Sequence, residues 1–243
     1  MLSIFRKEIH AFFSSLIGYI VIGVFITSIG LFMWVFSDTS VFSYRFATLE
    51  QLFSIAPVVF LFLIPAVTMS SFADEKARGT IEFLFTQPLT TWQIIAGKYL
   101  ANVVLVLFAL LPTLIYYFSI YQLGSPKGNL DKGAIMGSYI GLFFLASVFV
   151  AIGIFASSLS TNQIVAFILS AFLCFFFHWA FTYIARIPIF SGNLDLFIQK
   201  LGINFHYNSM SKGVLDTRDI LYFLSVIFVF LFGTQQVLEA QKS

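Results

Sequence analysis

The chain has 243 residues, 59% hydrophobic and only 10% charged, with a mean hydropathy of +0.95. A soluble domain carries nearer a quarter charged residues, because its surface must face water, so much of this surface faces lipid and a separate soluble module has no room. Thirteen basic against 11 acidic side chains give a net charge of +2, which leaves nucleic acid no electrostatic footprint, and the lone Cys174 excludes an intrachain disulfide.

Residues 1–15 place Leu2, Phe5, Ile9, Phe12 and Phe13 on one helical face, with Arg6, His10 and Ser14 turned elsewhere. That pattern predicts an interfacial helix or the start of the first span. The apolar stretch after Arg6-Lys7 is too long for a signal-peptide core and lacks a small-residue cleavage site. Stretches free of Asp, Glu, Lys and Arg then cover 11–37, 51–73, 99–126, 133–185 and 220–238. The fourth would make about 80 Å of unbroken helix at 1.5 Å per residue, so it folds back, at the polar cluster 157–162. The reading is an all-α integral membrane domain over 1–243, with spans near 17–36, 55–72, 99–121, 134–156, 164–184 and 220–237.

Six spans put both termini on one side with the loops 73–98 and 157–162. Arg6, Lys7, Lys76, Arg78, Lys98 and Lys242 lie there; Arg45, Lys127, Lys132, Arg186, Lys200, Lys212 and Arg218 lie opposite, a near balance. Arg6-Lys7 before the first span, against Asp38 and Glu50 after it, favours cytoplasmic termini. Before the last span, Leu194, Leu196, Phe197, Leu201, Ile203 and Phe205 suggest short re-entrant or interfacial helices, or a folded surface cap.

The densest charge is Asp74-Glu75-Lys76-Ala77-Arg78, directly after the second span. Gly79 can stop a helix in the left-handed conformation. Thr80 can cap a new short helix over 81–86 with Glu82 in its first turn. Ile81, Leu84 and Phe85 share one face of it, and Pro88 ends it. Thr90 and Gln93 form a capping box for the third span. A span, a break, an amphipathic helix and a second span offer an apolar face that can fill a groove on a partner.

This segment, Asp74-Glu75-Lys76-x-Arg78-Gly79-Thr80-x-Glu82 through Pro88, followed by Ile94-x-x-Gly97-Lys98, resembles the ABC-2 class of ABC-transporter permeases. The turn at 157–163 and the Gly213-Val214-x-Asp216-x-Arg218-Asp219 pattern before the last span extend the resemblance along the chain. Within the class it is most similar to the gliding-motility-associated permease subunit of Bacteroidota. The resemblance implies a coupling helix between spans two and three and a separate ATPase in two copies, which uses ATP and Mg. It also implies a second permease subunit, identical or related, a bacterial inner-membrane location, and room for an accessory extracytoplasmic subunit. Consistent with that division of labour, Gly97-Lys98 belongs to no phosphate-binding Gly-rich loop.

His178 is the one ionisable residue deep in an expected span, read either as a proton relay or substrate contact or as a neutral imidazole bonded to a neighbouring helix. Pro57, Pro65 and Pro112 either kink spans two and three beside a translocation path or simply set packing. Trp34, Tyr116, Tyr117, Tyr121 and Tyr183 read as interfacial anchors, while Gly18, Gly23 and Gly30 allow close helix approach. A secondary transporter lacks further buried charge to support it. Intramembrane tripeptide proteases need Glu-Glu-x-x-x-Arg inside a span, whereas Asp74-Glu75 lies at a span's end with Arg78 wrongly spaced. No catalytic or metal-binding motif is present in the sequence.

Overall fold

The structure is a computed structural model that describes residues 1–44, 48–187 and 193–242. Arg45, counted above among the basic residues opposite the termini, lies outside them. Helix α1 (Leu2–Ser14) is followed by α2 (Leu16–Trp34) and a short α3 (Val41–Tyr44). Next come α4 (Glu50–Thr68), α5 (Ser70–Ala77), α6 (Ile81–Phe85) and α7 (Thr91–Leu110), which passes through a 3₁₀ turn into α8 (Leu114–Leu123). Helices α9 (Lys132–Leu159) and α10 (Gln163–Phe175) follow, then a π-turn (Phe176–Ala180), α11 (Phe181–Ala185), α12 (Asn193–Leu201), α13 (Ile203–Met210) and α14 (Thr217–Lys242). No strand occurs among the described residues.

Five helical stretches are each long and apolar enough to cross a membrane: Glu50–Ala77, Thr91–Leu123, Lys132–Leu159, Gln163–Ala185 and Thr217–Lys242. The bent pair Leu2–Ser14 and Gly18–Trp34 makes a sixth, with a 70° turn between its halves. Ser15 starts the second half by accepting from the Gly18 amide. A Cβ on Gly18 would run into Phe12, so the bend relies on its absence. Three of these helices, Glu50–Ala77, Thr91–Leu123 and Thr217–Lys242, run past the charge-free stretches that mark them, because polar and charged residues continue them beyond the apolar core.

Helix α9 is the axis of the bundle. Leu145, Val148, Phe149, Val150, Ile152 and Ile154 are buried on all sides of it, as an all-round apolar helix requires. Helices α4, α10 and α14 pack around it, and their outward residues, such as Val58, Phe62, Ile168, Phe172, Phe228 and Val229, stay exposed for lipid or a partner. Ser157 and Ser158 are helical and fully buried rather than turn residues; the turn itself is 160–162, where Asn162 caps α10 through the Ile164 amide.

The two ends of the bundle differ. One end holds α1, α5, α6, the 160–162 turn and the C-terminus, where the Lys242 ammonium sits 5.8 Å from the Phe85 ring. The opposite end is closed by a cap, α12 and α13. Helix α13 is pressed onto α9, where Gly213, in the left-handed region at φ 84°, lies against Gly137 so closely that a Cβ on either would strike backbone. Tyr116, one of the expected interfacial anchors, donates to the Ile26 carbonyl of α2 at 2.7 Å and lies against Gly30.

Candidate functional site

The charged motif folds into the junction between α5 and α6. Arg78 ends α5, Gly79 takes φ 68°, and the chain re-enters a helix at Ile81. The left-handed glycine is as the sequence predicts. Thr80 departs from its expected role: its backbone is helical and it caps nothing, its hydroxyl donating instead to the Glu75 carbonyl at 3.3 Å. Thr90 and Gln93 do form the reciprocal capping box that starts α7.

Most of the motif's charge turns inward. The Lys98 ammonium, only 2% exposed, donates to Oε1 of Glu8 at 2.7 Å and to Oε1 of Glu75 at 3.0 Å. Lys7 reaches the same Glu75 oxygen at 3.2 Å. Lys98 lies 5.2 Å from the Phe72 ring centroid. One residue earlier, a Cβ on Gly97 would lie 3.1 Å from the Met1 carbonyl and 3.2 Å from Cβ of Ile4, so the missing side chain lets α1 lie against α7. The Gly97-Lys98 pair is thus a seat for the N-terminal helix: glycine gives the approach and lysine gives the ionic lock. Glu8 was invisible as a site residue in the sequence, since nothing local links it to Lys98 across 90 positions.

Asp74 and Lys76 tie α5 to the central helices. Oδ1 of Asp74 accepts from Arg78 Nε at 2.9 Å and from Gln163 Nε2 at 3.0 Å, while Lys76 donates to the Ser158 carbonyl. The Ser157 hydroxyl donates to the Met69 carbonyl at 2.8 Å and accepts from the Ala73 amide at 3.1 Å, at the break between α4 and α5. The Phe72 amide donates to the same oxygen at 2.9 Å.

The short helix presents a different face from the one its apolar spacing suggests. Ile81, Leu84 and Phe85 pack, half-buried, on the chain's own core. The surface left for a partner is Arg78, Gly79, Thr80, Glu82, Phe83 and Pro88, all exposed. Phe83 is 73% exposed, the most exposed phenylalanine of the described residues, at a site hydrophobic economy would otherwise avoid.

The prolines divide. Pro57 and Pro65 lie inside α4, and Pro112 lies in the 3₁₀ turn that ends α7. Pro57 has no N–H to give the Phe53 carbonyl one turn earlier. Tyr207 of α13 fills that gap, donating its hydroxyl to the Phe53 carbonyl at 2.6 Å. Burial pushes this hydroxyl above the ordinary phenol range, so it keeps the proton it donates. His178 sits in the π-turn, 1% exposed, with no hydrogen-bond partner for Nδ1 among the described residues. It is therefore neither bonded to a neighbouring helix through that nitrogen nor near the charged junction.

The chain is thus a helical membrane bundle with a short helix slung between two spans and charge locking the roots of those spans. The chain belongs to the ABC-2 family of transporter proteins, whose model matches residues 26–242. Two curated relatives, each described as "Probable multidrug ABC transporter permease YbhR", come from Escherichia coli strain K12 and Escherichia coli O157:H7. Each is 31% identical over 102 residues, which is 42% of this chain and 26% of the relative. The chain thus spans about a quarter of the length of these relatives. Family membership agrees with the five or six candidate spans in making the chain a membrane protein of the ABC-2 transporter family.

Proposed function

We propose that this chain forms half of the membrane pathway of an ATP-driven exporter in a bacterial inner membrane, with the end that carries both termini in the cytosol. The observation that supports the reading is α6 itself: its inner face is seated on the bundle, and its outer rim of Arg78, Glu82, Phe83 and Pro88 is free. An ATPase groove that receives Phe83 would move α6, and the Glu75–Lys98–Glu8 lock would pass that motion to α5, α7 and α1 together.

Two ATPase copies, binding ATP and Mg, and a second permease subunit, identical or related, complete the transporter. The exposed apolar stripe of Ile20 and Val24 on α2 with Val58 and Phe62 on α4 suits that second subunit, and an accessory extracytoplasmic subunit would meet the cap. The similarity to the gliding-motility subfamily extends the reading to secretion or motility at the cell surface.

The test is copurification with the ATPase from mild detergent. Phe83→Ala and Arg78→Glu should release the ATPase while the permease stays folded; full retention of the ATPase by both variants overturns the docking role. A cysteine at Phe83 labelled by an impermeant reagent from outside intact cells overturns the orientation. ATPase activity that never responds to any cargo in proteoliposomes would instead make the chain a docking scaffold.

A further inference from the structure

At the cap end, a chamber of about 440 Å³ opens between the first turns of α4, the π-turn and α13. That volume falls within the roughly 300–1,000 Å³ of small-molecule sites. Its depth holds Gln51, His178, Trp179, Asn204 and Tyr207, while Ser54 and the charged side chains, Glu50 and Lys212, lie exposed at its rim. Two buried polar atoms without a partner among the described residues belong to this one chamber: Nδ1 of His178 and Oε1 of Gln51.

Buried polar groups are almost always paired, and an orphan costs about 1–3 kcal/mol. Two orphans lining one cavity, from helices distant in sequence, point to an occupant that satisfies both. His178 is carried there by the π-turn, a deviation that tends to occur at functional sites. The charges offset each other, so the chamber has no net demand for an ion. Carboxamides donate and accept, Ser54 does both, and an imidazole nitrogen does either. Trp179 and Tyr207 add flat apolar surface. Neutral groups that donate and accept in turn, beside aromatic faces, suit a ligand of alternating hydroxyls and C–H faces.

We propose that this chamber binds a neutral polyhydroxylated group, a sugar or polyol, with Gln51 and His178 as its polar contacts. The site is separate from α6, so it stands or falls independently of ATPase docking. The group can come from solution or from a glycolipid whose tail lies in the bilayer.

The experiment uses the full chain in lipid nanodiscs prepared without glycosidic detergent, in a Trp34→Phe, Trp92→Phe background. Trp179, whose ring centroid lies 4.3 Å from that of His178, then reports alone. Glucose, N-acetylglucosamine and inositol are titrated from solution, and monoglucosyl diacylglycerol is incorporated into the nanodisc. A saturable fluorescence change with a free sugar assigns a soluble ligand; a change with the glycolipid alone assigns a lipid head group. Both support the site. Gln51→Leu and His178→Phe should each weaken the response about tenfold, the equivalent of one hydrogen bond, with melting temperature held or raised because an orphan is removed. A flat response to every probe, or a stronger one to choline, overturns the proposal. If His178→Phe unfolds the protein, Gln51→Leu decides alone: an undiminished response in that variant overturns it.

Discussion

Lys98 on α7 donates to Oε1 of Glu75 on α5 at 3.0 Å, so the two spans that flank α6 are joined at their roots by an ion pair 23 residues apart in sequence. The same ammonium holds Glu8, and the N-terminal helix is part of the joint.

Breaking this joint from one side should be worse than removing it. Lys98→Met leaves Glu75, whose side chain is 13% exposed, with only the exposed Lys7 as counter-charge, and takes from Glu8 its partner. The expected cost is about 3–5 kcal/mol, as for other buried pairs halved by mutation. Adding Glu75→Gln should recover most of that loss. Thermal unfolding in detergent measures both variants; a single mutant as stable as the parent would mean that the pair is already well hydrated.

Phe83 and Leu84 are neighbours on α6 with opposite environments. Phe83→Ala should leave unfolding within about 0.5 kcal/mol of the parent, as exposed substitutions do, yet lower ATPase affinity by tens-fold, as loss of an aromatic anchor does. Leu84→Ala should destabilise by about 1–2 kcal/mol through lost burial. Parallel melting curves and ATPase pull-downs separate the two effects, and identical behaviour of the two variants would contradict the assigned faces.

Gly79 is a clean probe of backbone strain, because at φ 68° a Cβ there would meet nothing within 4 Å. Gly79→Ala should therefore cost only the left-handed penalty, about 1–2 kcal/mol. Gly79→Asn should cost less, since asparagine tolerates that region. Equal melting temperatures for glycine, alanine and asparagine would show that the junction is free to take another conformation.

Tyr207 and Pro57 make a testable pair. Tyr207→Phe strips the partner from the Phe53 carbonyl and should cost about 1–3 kcal/mol. Pro57→Ala supplies the missing helical N–H, so Tyr207→Phe should be far milder in that background. Melting temperatures of the four-member cycle give the coupling; strict additivity would deny that the hydroxyl substitutes for the absent amide.

Local chemistry was legible in the sequence wherever the partners lie within a few residues. The Thr90–Gln93 box, the left-handed Gly79 and the apolar spans all follow from spacing alone. The misreadings have a common physical cause, which is that the partner sits on a distant element. Ser157 looked like a turn residue because serine favours turns, yet it is helical and serves the backbone of α4–α5 across 84 and 85 positions. The bond from Tyr116 to the Ile26 carbonyl, 90 positions away, had no local signal either. The periodicity of Ile81, Leu84 and Phe85 located an apolar face but not its recipient, and the recipient is the bundle itself. Glu8 carried no local signal at all.

The hydroxyl of Ser157 uses its single proton and both lone pairs on one neighbouring helix, through Met69, Phe72 and Ala73. The Phe72 amide, next to the break between α4 and α5, thereby has an acceptor, so the joint strands no amide there.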